Sequence, residues 1–487
     1  MKFKFDIKKY LIVIIGALLL SGVIYANNCV LVYSFEQCIY GVLKMEGSSS
    51  APVLYATMYI LVCFIFICPL SLLPVFDFGK KFCIKIRNKV WQIYPIKNIK
   101  VYGIVLLLIG VFCLLSILKF FPFVRSTIFS STELFDDYYV DAGNVDISFP
   151  GEKRNLIYIF VESLESSNTS IKNGGFFEKS IIPNLEKMAL ENINFSNNNV
   201  IGGASPSFGT GWTVAAMISH TSGVPLKMTF DDINANSTRF EKITNMGDIL
   251  SDNGYNSYLL LGSDADFGGR RAYFANHNYL IKDYETAVSE GFIDSDYFEW
   301  WGYEDSKLFS YAKDMLLDIS KDDKPFNLTM LTANTHFTDG YLDSGCEEVF
   351  DDPYANSFYC SDNMINEFIE WVKVQDFYED TTIVIVGDHL TMQNRFYSKK
   401  YDDNRRIFNV FINAKVDNYY SEKNRVFTSL DLFPTTLASI GADIKGDRLG
   451  LGTNLFSNKH TVPEIMGIDK FNEEIMKGSH YYYNNIR

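Results

Sequence analysis

Three uninterrupted apolar stretches fall within the first 121 residues, at about Tyr10–Ala26, Ala51–Phe76 and Val101–Phe121. Each approaches the roughly 20 apolar residues that a helix needs to cross a bilayer. In lipid every backbone polar group must be satisfied within the segment itself, so such stretches are confined to helix. No small-x-small cleavage site follows the first, which therefore reads as an uncleaved anchor rather than a signal peptide. The flanking charges set an orientation. Lys2, Lys4, Lys8 and Lys9 precede the first span, and Lys80, Lys81, Lys85, Arg87, Lys89, Lys97 and Lys100 follow the second. Residues 27–50 between them hold one basic residue, Lys44. The positive-inside rule puts the N-terminus in, 27–50 out, 77–100 in and everything after residue 121 outside.

Charge divides the chain at the same place. Residues 1–121 carry 13 Lys+Arg against 4 Asp+Glu, leaving 31 against 54 for the remainder of a chain whose net charge is −14. So acidic an outer part excludes a nucleic-acid binder, which needs a basic footprint. Of the 8 cysteines, Cys29 and Cys38 share the first outer loop and Cys346 and Cys360 share an outer segment. Either pair is a candidate disulfide in an oxidising compartment, and no CxxC pair suggests zinc.

Four parts follow: a membrane domain with three transmembrane helices (1–121), a juxtamembrane linker (122–153), an outer domain (154–456) and a C-terminal tail (457–487). In the outer domain strand patterns at Leu156–Val161, Ser257–Leu261, Phe326–Leu331, Thr382–Val386 and Ile407–Ile412 alternate with helical ones. The helical patterns are Asn184–Glu191, Ile243–Asp252, Asp305–Ile319 and Ser361–Val374, the last with Ser361 as N-cap. This alternation predicts an α/β domain with a mostly parallel central sheet covered by helices on both faces.

Several strands run straight into chemistry-bearing residues. TTIVIVGDHL ends in Asp388 and His389, LIYIFVE ends in Glu162, and the Phe326–Leu331 strand leads to Asn334-Thr335-His336. The carboxyl edge of an open α/β sheet is where ligands bind. Glu162, Asp388 and His389 are hard or borderline ligands suited to Mn²⁺, Mg²⁺ or Zn²⁺. Between the first two strands a Gly-rich loop reaches Thr210 and turns into an Ala/Met/Ile helix. Taken alone Thr210 reads as an N-cap. Joined to a divalent ion, its hydroxyl becomes a nucleophile able to attack a phosphodiester and form a phospho-threonine. His336 would protonate a leaving oxygen or hold a phosphate oxygen, and Arg270 or Arg271 would clamp the phosphate.

The segments LIYIFVESLE, IPNLEKMA, FGTGWTVAAMISHTSGVPL, NTHFTDGYLDSGC, IVIVGDHLTM and DLFPTTLASIGADIKGDRLGLGTNLF resemble the alkaline-phosphatase/sulfatase superfamily. The resemblance is to its membrane phosphoglycerol transferases, of the osmoregulated periplasmic glucan type and more distantly the lipoteichoic acid synthases. It implies a sulfatase-like domain on a bacterial plasma (inner) membrane, facing the periplasm or cell exterior. It further implies Glu162, Thr210, Asp388 and His389 as ligands of one divalent ion, usually Mn²⁺, with Thr210 also the nucleophile and His336 binding substrate. Phosphatidylglycerol would be the donor, a cell-envelope glycan the acceptor and diacylglycerol the by-product. The chain departs from that family in having three spans where members often have four or five, and in its short tail. Two other functions are a phosphoethanolamine transferase on the same fold and a non-catalytic anchored binding protein. A secreted-type sulfatase is not expected, because Ser205-Pro206 lacks the Cys/Ser-x-Pro-x-Arg spacing and arginine.

Overall fold

The computed structural model describes residues 7–29, 35–36, 38–39, 51–76, 81–86, 89–227, 240–393, 396–397, 404–416 and 419–487. Lys2, Lys4, Lys44, Lys80 and Arg87, which carry part of the orientation argument, lie outside them, as does the side chain of Cys29. The chain forms two compact units, one of residues 1–38 and 49–124, the other of 39–48 and 125–487.

In the first unit α1 (Ile7–Cys29), α2 (Ala51–Leu72) and α3 (Ile99–Ile117) contain the three segments, among the described residues, long and apolar enough to cross a membrane. Small residues let two of them approach, with Gly103 and Gly110 of α3 facing Ile12 and Leu19 of α1. The third span is shorter than its apolar run suggests. It ends at Ile117, and a separate helix begins at Phe120 beyond Lys119, whose φ is 57°. The loop between the second and third spans carries an unanticipated antiparallel hairpin, β1 (Phe82–Ile86) and β2 (Lys89–Tyr94).

The second unit is built on a seven-stranded sheet of order β5-β10-β9-β4-β8-β6-β7. These are β4 (Asn155–Val161), β5 (Gly203–Ala204), β6 (Asn256–Leu261), β7 (Tyr279–Lys282), β8 (Phe326–Leu331), β9 (Thr381–Gly387) and β10 (Ile407–Ile412). Five run parallel, and β10 and β5 are added antiparallel at one edge. Strands buried on both faces read as continuous apolar runs. In β4, Leu156, Tyr158 and Phe160 point into one core cluster while Ile157, Ile159 and Val161 point into another.

Helices cover both faces, as the alternating sequence predicts. On the first lie α5 (Thr213–Ser222), α6 (Met246–Asp252), α7 (Arg270–Asn276), α10 (Leu432–Ser439) and α11 (Ile468–Met476). On the second lie α4 (Pro183–Glu191), α8 (Asp305–Ile319) and α9 (Pro353–Lys373). Helix α9 starts eight residues before the expected cap. Asp352 rather than Ser361 caps it, accepting from the amides of Tyr354 and Ala355, and Pro353 supplies the pre-set first turn. Ser361 lies buried inside the helix.

Both flanks of the sheet domain pack into its first core cluster. From 122–153, Leu134 and Phe135 are buried there, and Ile147–Ser148 (β3) pairs with Asp443–Ile444 (β11). From 457–487, Val462, Phe471, Ile475, Tyr482 and Ile486 have no exposed surface and join the same cluster.

Candidate metal centre

Strand register brings the first carboxylates together. Val161 of β4 pairs in parallel with Gly387 of β9, so the next residue of each strand, Glu162 and Asp388, leaves the sheet side by side. Only glycine suits position 387, because a Cβ there would stand 1.8 Å from the Leu164 carbonyl oxygen. Ser163 then joins the two acids. In a left-handed conformation (φ 57°), its amide donates to Asp388 Oδ1 at 2.7 Å and its hydroxyl to Glu162 Oε1 at 2.8 Å.

His389 completes the cluster. Its Nδ1 lies 2.9 Å from the Leu390 carbonyl, which only a protonated Nδ1 can satisfy. In the neutral ring this leaves the lone pair on Nε2, 3.5 Å from Glu162 Oε1 and 3.4 Å from Asp388 Oδ2. One donor atom from each of the three residues lies within 4.8 Å of the others, and all three residues are buried. Asp388 Oδ2 is buried without a hydrogen-bond partner, a costly state for a carboxylate oxygen unless a cation compensates it. Two acids, an imidazole and an unsatisfied oxygen fit a divalent ion.

The charges respond to this crowding. Burial raises the Glu162 carboxyl, but His389, His336 and the hydrogen bonds to the group together outweigh it and hold it below its ordinary value. Burial and the Glu162 charge push Asp388 up. Burial opposes charging of His389, yet Asp388 and Glu162 lift it above the usual imidazole range.

Thr213 is the hydroxyl at this cluster. Its Oγ1 donates to Glu162 Oε2 at 3.1 Å and lies 3.4 Å from His389 Nε2. Thr210, expected in that place, is engaged with Ser207 instead: its hydroxyl donates to the Ser207 carbonyl at 2.9 Å and lies 3.0 Å from Ser207 Oγ. The physical reason is where the helix begins. Trp212, not Thr210, occupies the N-cap of α5 and makes no side-chain cap, so Thr213 is the first helical residue. Thr213 directly precedes the first apolar residue of the helical pattern, a signal that was present in the sequence.

The remaining candidates divide. His336 is half-buried, with Nδ1 2.6 Å from the Phe337 carbonyl and its ring 4.7 Å from that of Trp301. Burial draws its pKa down. The Glu162 charge opposes this, whereas those of His389 and Arg270 add to it, so His336 stands in the field of the cluster and of Arg270. Arg270 is buried, donates to Ser263 Oγ and the Asp264 carbonyl, and has its guanidinium 5.5 Å from the Phe267 ring centre. Arg271 does not face the cluster's acids. It is held among others, at 2.5 Å from Asp283, 3.0 Å from Asp266, 3.6 Å from Asp264 and 3.7 Å from Glu285, which leaves little of its charge for a phosphate.

One support escaped the sequence reading. Glu165 is fully buried and ion-paired with Arg405, and it accepts from the Thr391 amide at 2.9 Å, bracing the turn that follows His389. Of the two candidate disulfides, Cys346–Cys360 is formed and ties the segment after His336 to α9. Cys38 forms no disulfide among the described residues, and the side chain of Cys29, its expected partner, lies outside them.

With this geometry in view, the sulfatase family profile matches residues 154–442. A curated relative, phosphoglycerol transferase I of Salmonella choleraesuis, is 30% identical over 326 residues, or 64% of this chain and 40% of the relative. The chain thus spans well under half the length of that relative. Among solved structures, lipooligosaccharide phosphoethanolamine transferase A of Neisseria meningitidis superposes with a TM-score of 0.52 at 15% identity, covering 91% of this chain and 85% of the other. The lipoteichoic acid synthase LtaP of Listeria monocytogenes gives 0.51 at 18% identity, covering 66% and 81%. At such identities the structural matches speak for the fold alone.

Proposed function

This chain belongs to the sulfatase family, and on that premise we propose that it transfers glycerophosphate from phosphatidylglycerol to a hydroxyl of an extracytoplasmic glycan. The observation that carries this reading is the Thr213 hydroxyl, placed at a helix N-terminus and hydrogen-bonded into the Glu162–Asp388–His389 cluster. A nucleophile at the mouth of a helix meets a phosphate where amides and dipole favour negative charge. The name phosphoglycerol transferase I, carried by the relative at 30% identity, supports glycerol as the headgroup. The basic flanks of the spans support an outward-facing domain.

Glu162, Thr213, Asp388 and His389 would hold a divalent ion, which when bound lowers the pKa of the hydroxyl and offsets the charge of phosphate oxygens. The chain's own groups do the rest. Thr213 Oγ1 bonds to the donor phosphorus as the phosphorus–oxygen bond to diacylglycerol breaks. The hydroxyl proton leaves along its bond to Glu162, and a proton returns to the diacylglycerol oxygen. Arg270 and His336 hold phosphate oxygens during this exchange. An acceptor hydroxyl then bonds to phosphorus, the Oγ1–phosphorus bond breaks, and Thr213 regains its proton. Thr213 is thus the nucleophile of the first displacement and the leaving group of the second.

The test uses full-length protein with vesicles of phosphatidylglycerol or phosphatidylethanolamine carrying labelled headgroups. Diacylglycerol released from the first lipid, with label trapped on Thr213, is the expected result. Ethanolamine label on the protein would replace the donor, and no diacylglycerol from either lipid would end the reading.

A further inference from the structure

Residues Glu299–Gly302 form a tight turn closed by two backbone bonds, Glu299 N–H to the Gly302 carbonyl at 2.8 Å and the reverse at 3.0 Å. The two residues at its tip are Trp300 and Trp301. Trp300 has a φ of 58°, in a position that such turns normally give to Gly or Asn. A bulky side chain held there is strained, and strain of that kind clusters at functional sites. The turn is also pinned. Tyr303 N–H donates to the Gly262 carbonyl at 3.0 Å, and a Cβ on Gly302 would stand 2.1 Å from that same oxygen.

The pinning aims the indoles. Trp300 Nε1 donates to the Ala333 carbonyl at 2.9 Å, and its ring stacks on Tyr341 with centroids 6.0 Å apart and planes 30° apart. Trp301 lies against His336, joining the turn to the border of the metal centre. All three aromatic side chains are half-buried rather than sealed in a core. Their surroundings are acidic: the Tyr341 hydroxyl donates to Glu299 Oε2 at 3.4 Å, with Glu304 and Asp343 the next charges it feels.

We propose that Trp300, Trp301 and Tyr341 form the acceptor's binding face, stacking on a neutral sugar ring whose hydroxyls meet Glu299. The proposal rests on the transfer reading above and adds which surface takes the second substrate. Aromatic faces suit the C–H face of a pyranose, and a carboxylate at their edge accepts sugar hydroxyls. Glu299 repels a phosphate or an anionic lipid surface, so the donor phosphate belongs with Arg270 and His336 at the Trp301 end of this face and the acceptor extends toward Glu299 and Tyr341.

The test is calorimetric titration of the full-length protein in detergent with cellohexaose, maltohexaose and glycerol 3-phosphate. At least one hexasaccharide binds the wild type. Trp300→Ala and Tyr341→Ala each weaken that binding tenfold or more, while Trp300→Phe, which keeps an aromatic face, stays within about threefold. Trp371→Ala, on α9, binds as wild type and controls for general loss of folding. Equal weakening in that variant, displacement of the sugar by glycerol 3-phosphate, or no binding of either hexasaccharide overturns the proposal. Diacylglycerol release from phosphatidylglycerol, assayed on the same wild-type sample, separates the two failures. Release without sugar binding removes only the sugar face. Sugar binding without release keeps the face and removes the transfer reading.

Discussion

Thr213 Oγ1 donates a 3.1 Å hydrogen bond to Glu162 Oε2, linking the first residue of a helix to the first residue beyond a central strand. Thr210, three residues earlier, shares its hydroxyl with Ser207. The two threonines are therefore expected to separate on substitution. Thr213→Ala should lower transfer by about a thousandfold or more, since it removes the group that forms the bond to phosphorus. Thr210→Ala should cost about 1 kcal/mol of stability through a lost buried hydrogen bond and leave kcat within about tenfold. Diacylglycerol release with thermal unfolding of both variants decides it; the reverse pattern would return the nucleophile to Thr210.

Burial and then the neighbouring Glu162 charge raise the Asp388 pKa, and its Oδ2 has no hydrogen-bond partner. Removing that charge should have opposite effects with and without metal. In chelator, Asp388→Asn is expected to melt above the wild type, because two crowded acids become one. With saturating Mn²⁺ the order should invert, since an ion at 100 times its Kd stabilises the wild type by about 2.7 kcal/mol and the variant hardly at all. Parallel melting curves that never cross would speak against a shared ion.

The central strands were legible because each is an apolar run that stops at a polar group, and parallel pairing leaves such runs unbroken. That also placed Glu162, Asp388 and His389 at one sheet edge, although only the Val161–Gly387 register makes them neighbours. The helix begins two residues later than an N-cap at Thr210 predicts. Gly209 and Gly211 drew attention to Thr210, whereas the apolar pattern begins at Val214 and so pointed to Thr213. Trp300 and Trp301 gave no turn signal at all, since a turn holding tryptophan at positive φ breaks the rule by which turns are recognised.

Asp362 offers a pH dependence away from the metal centre. From α9 it accepts the amides of Asn184 and Leu185 at the start of α4. Burial pushes its carboxyl up to about 7 from an ordinary 3.8, more than those bonds draw it down. The native state then binds the extra proton between these values. Its stabilisation is complete below about pH 4 and is lost as pH rises through about 7. Relative to Asp362→Asn, the wild type should lose up to about 4 kcal/mol between pH 4 and pH 8. Urea unfolding at both pH values measures it, and a gap that widens in favour of the wild type would show that the amides hold the carboxylate charged.

The Cys346–Cys360 bridge closes a short loop, with a sequence separation of 14, between the segment after His336 and α9. Constraining the unfolded chain in this way is worth about 3 kcal/mol. Paired Cys346→Ser and Cys360→Ser substitutions should lower stability by about that amount, and a reductant should then have no further effect. An unchanged melting temperature would mean that the loop is already held by its other contacts.

The last 31 residues close the core that α5 and the sheet begin. Fully burying a large apolar side chain contributes about 1.5–3 kcal/mol, and Val462, Phe471, Ile475, Tyr482 and Ile486 are all fully buried. Together they supply roughly 8–15 kcal/mol, as much as the whole net stability of a typical domain. Arg425 adds a buried pair to Glu464 at 2.8 Å, which truncation would leave as an unpaired cation. A chain ending at Phe456 is therefore expected to be recovered only as aggregate or as protease-sensitive material. Phe471→Ala alone should fold with about 3–5 kcal/mol less stability. Limited proteolysis of both variants distinguishes a structural closing segment from a dispensable tail: a protease-resistant truncated domain would assign the core's stability to the residues before 457.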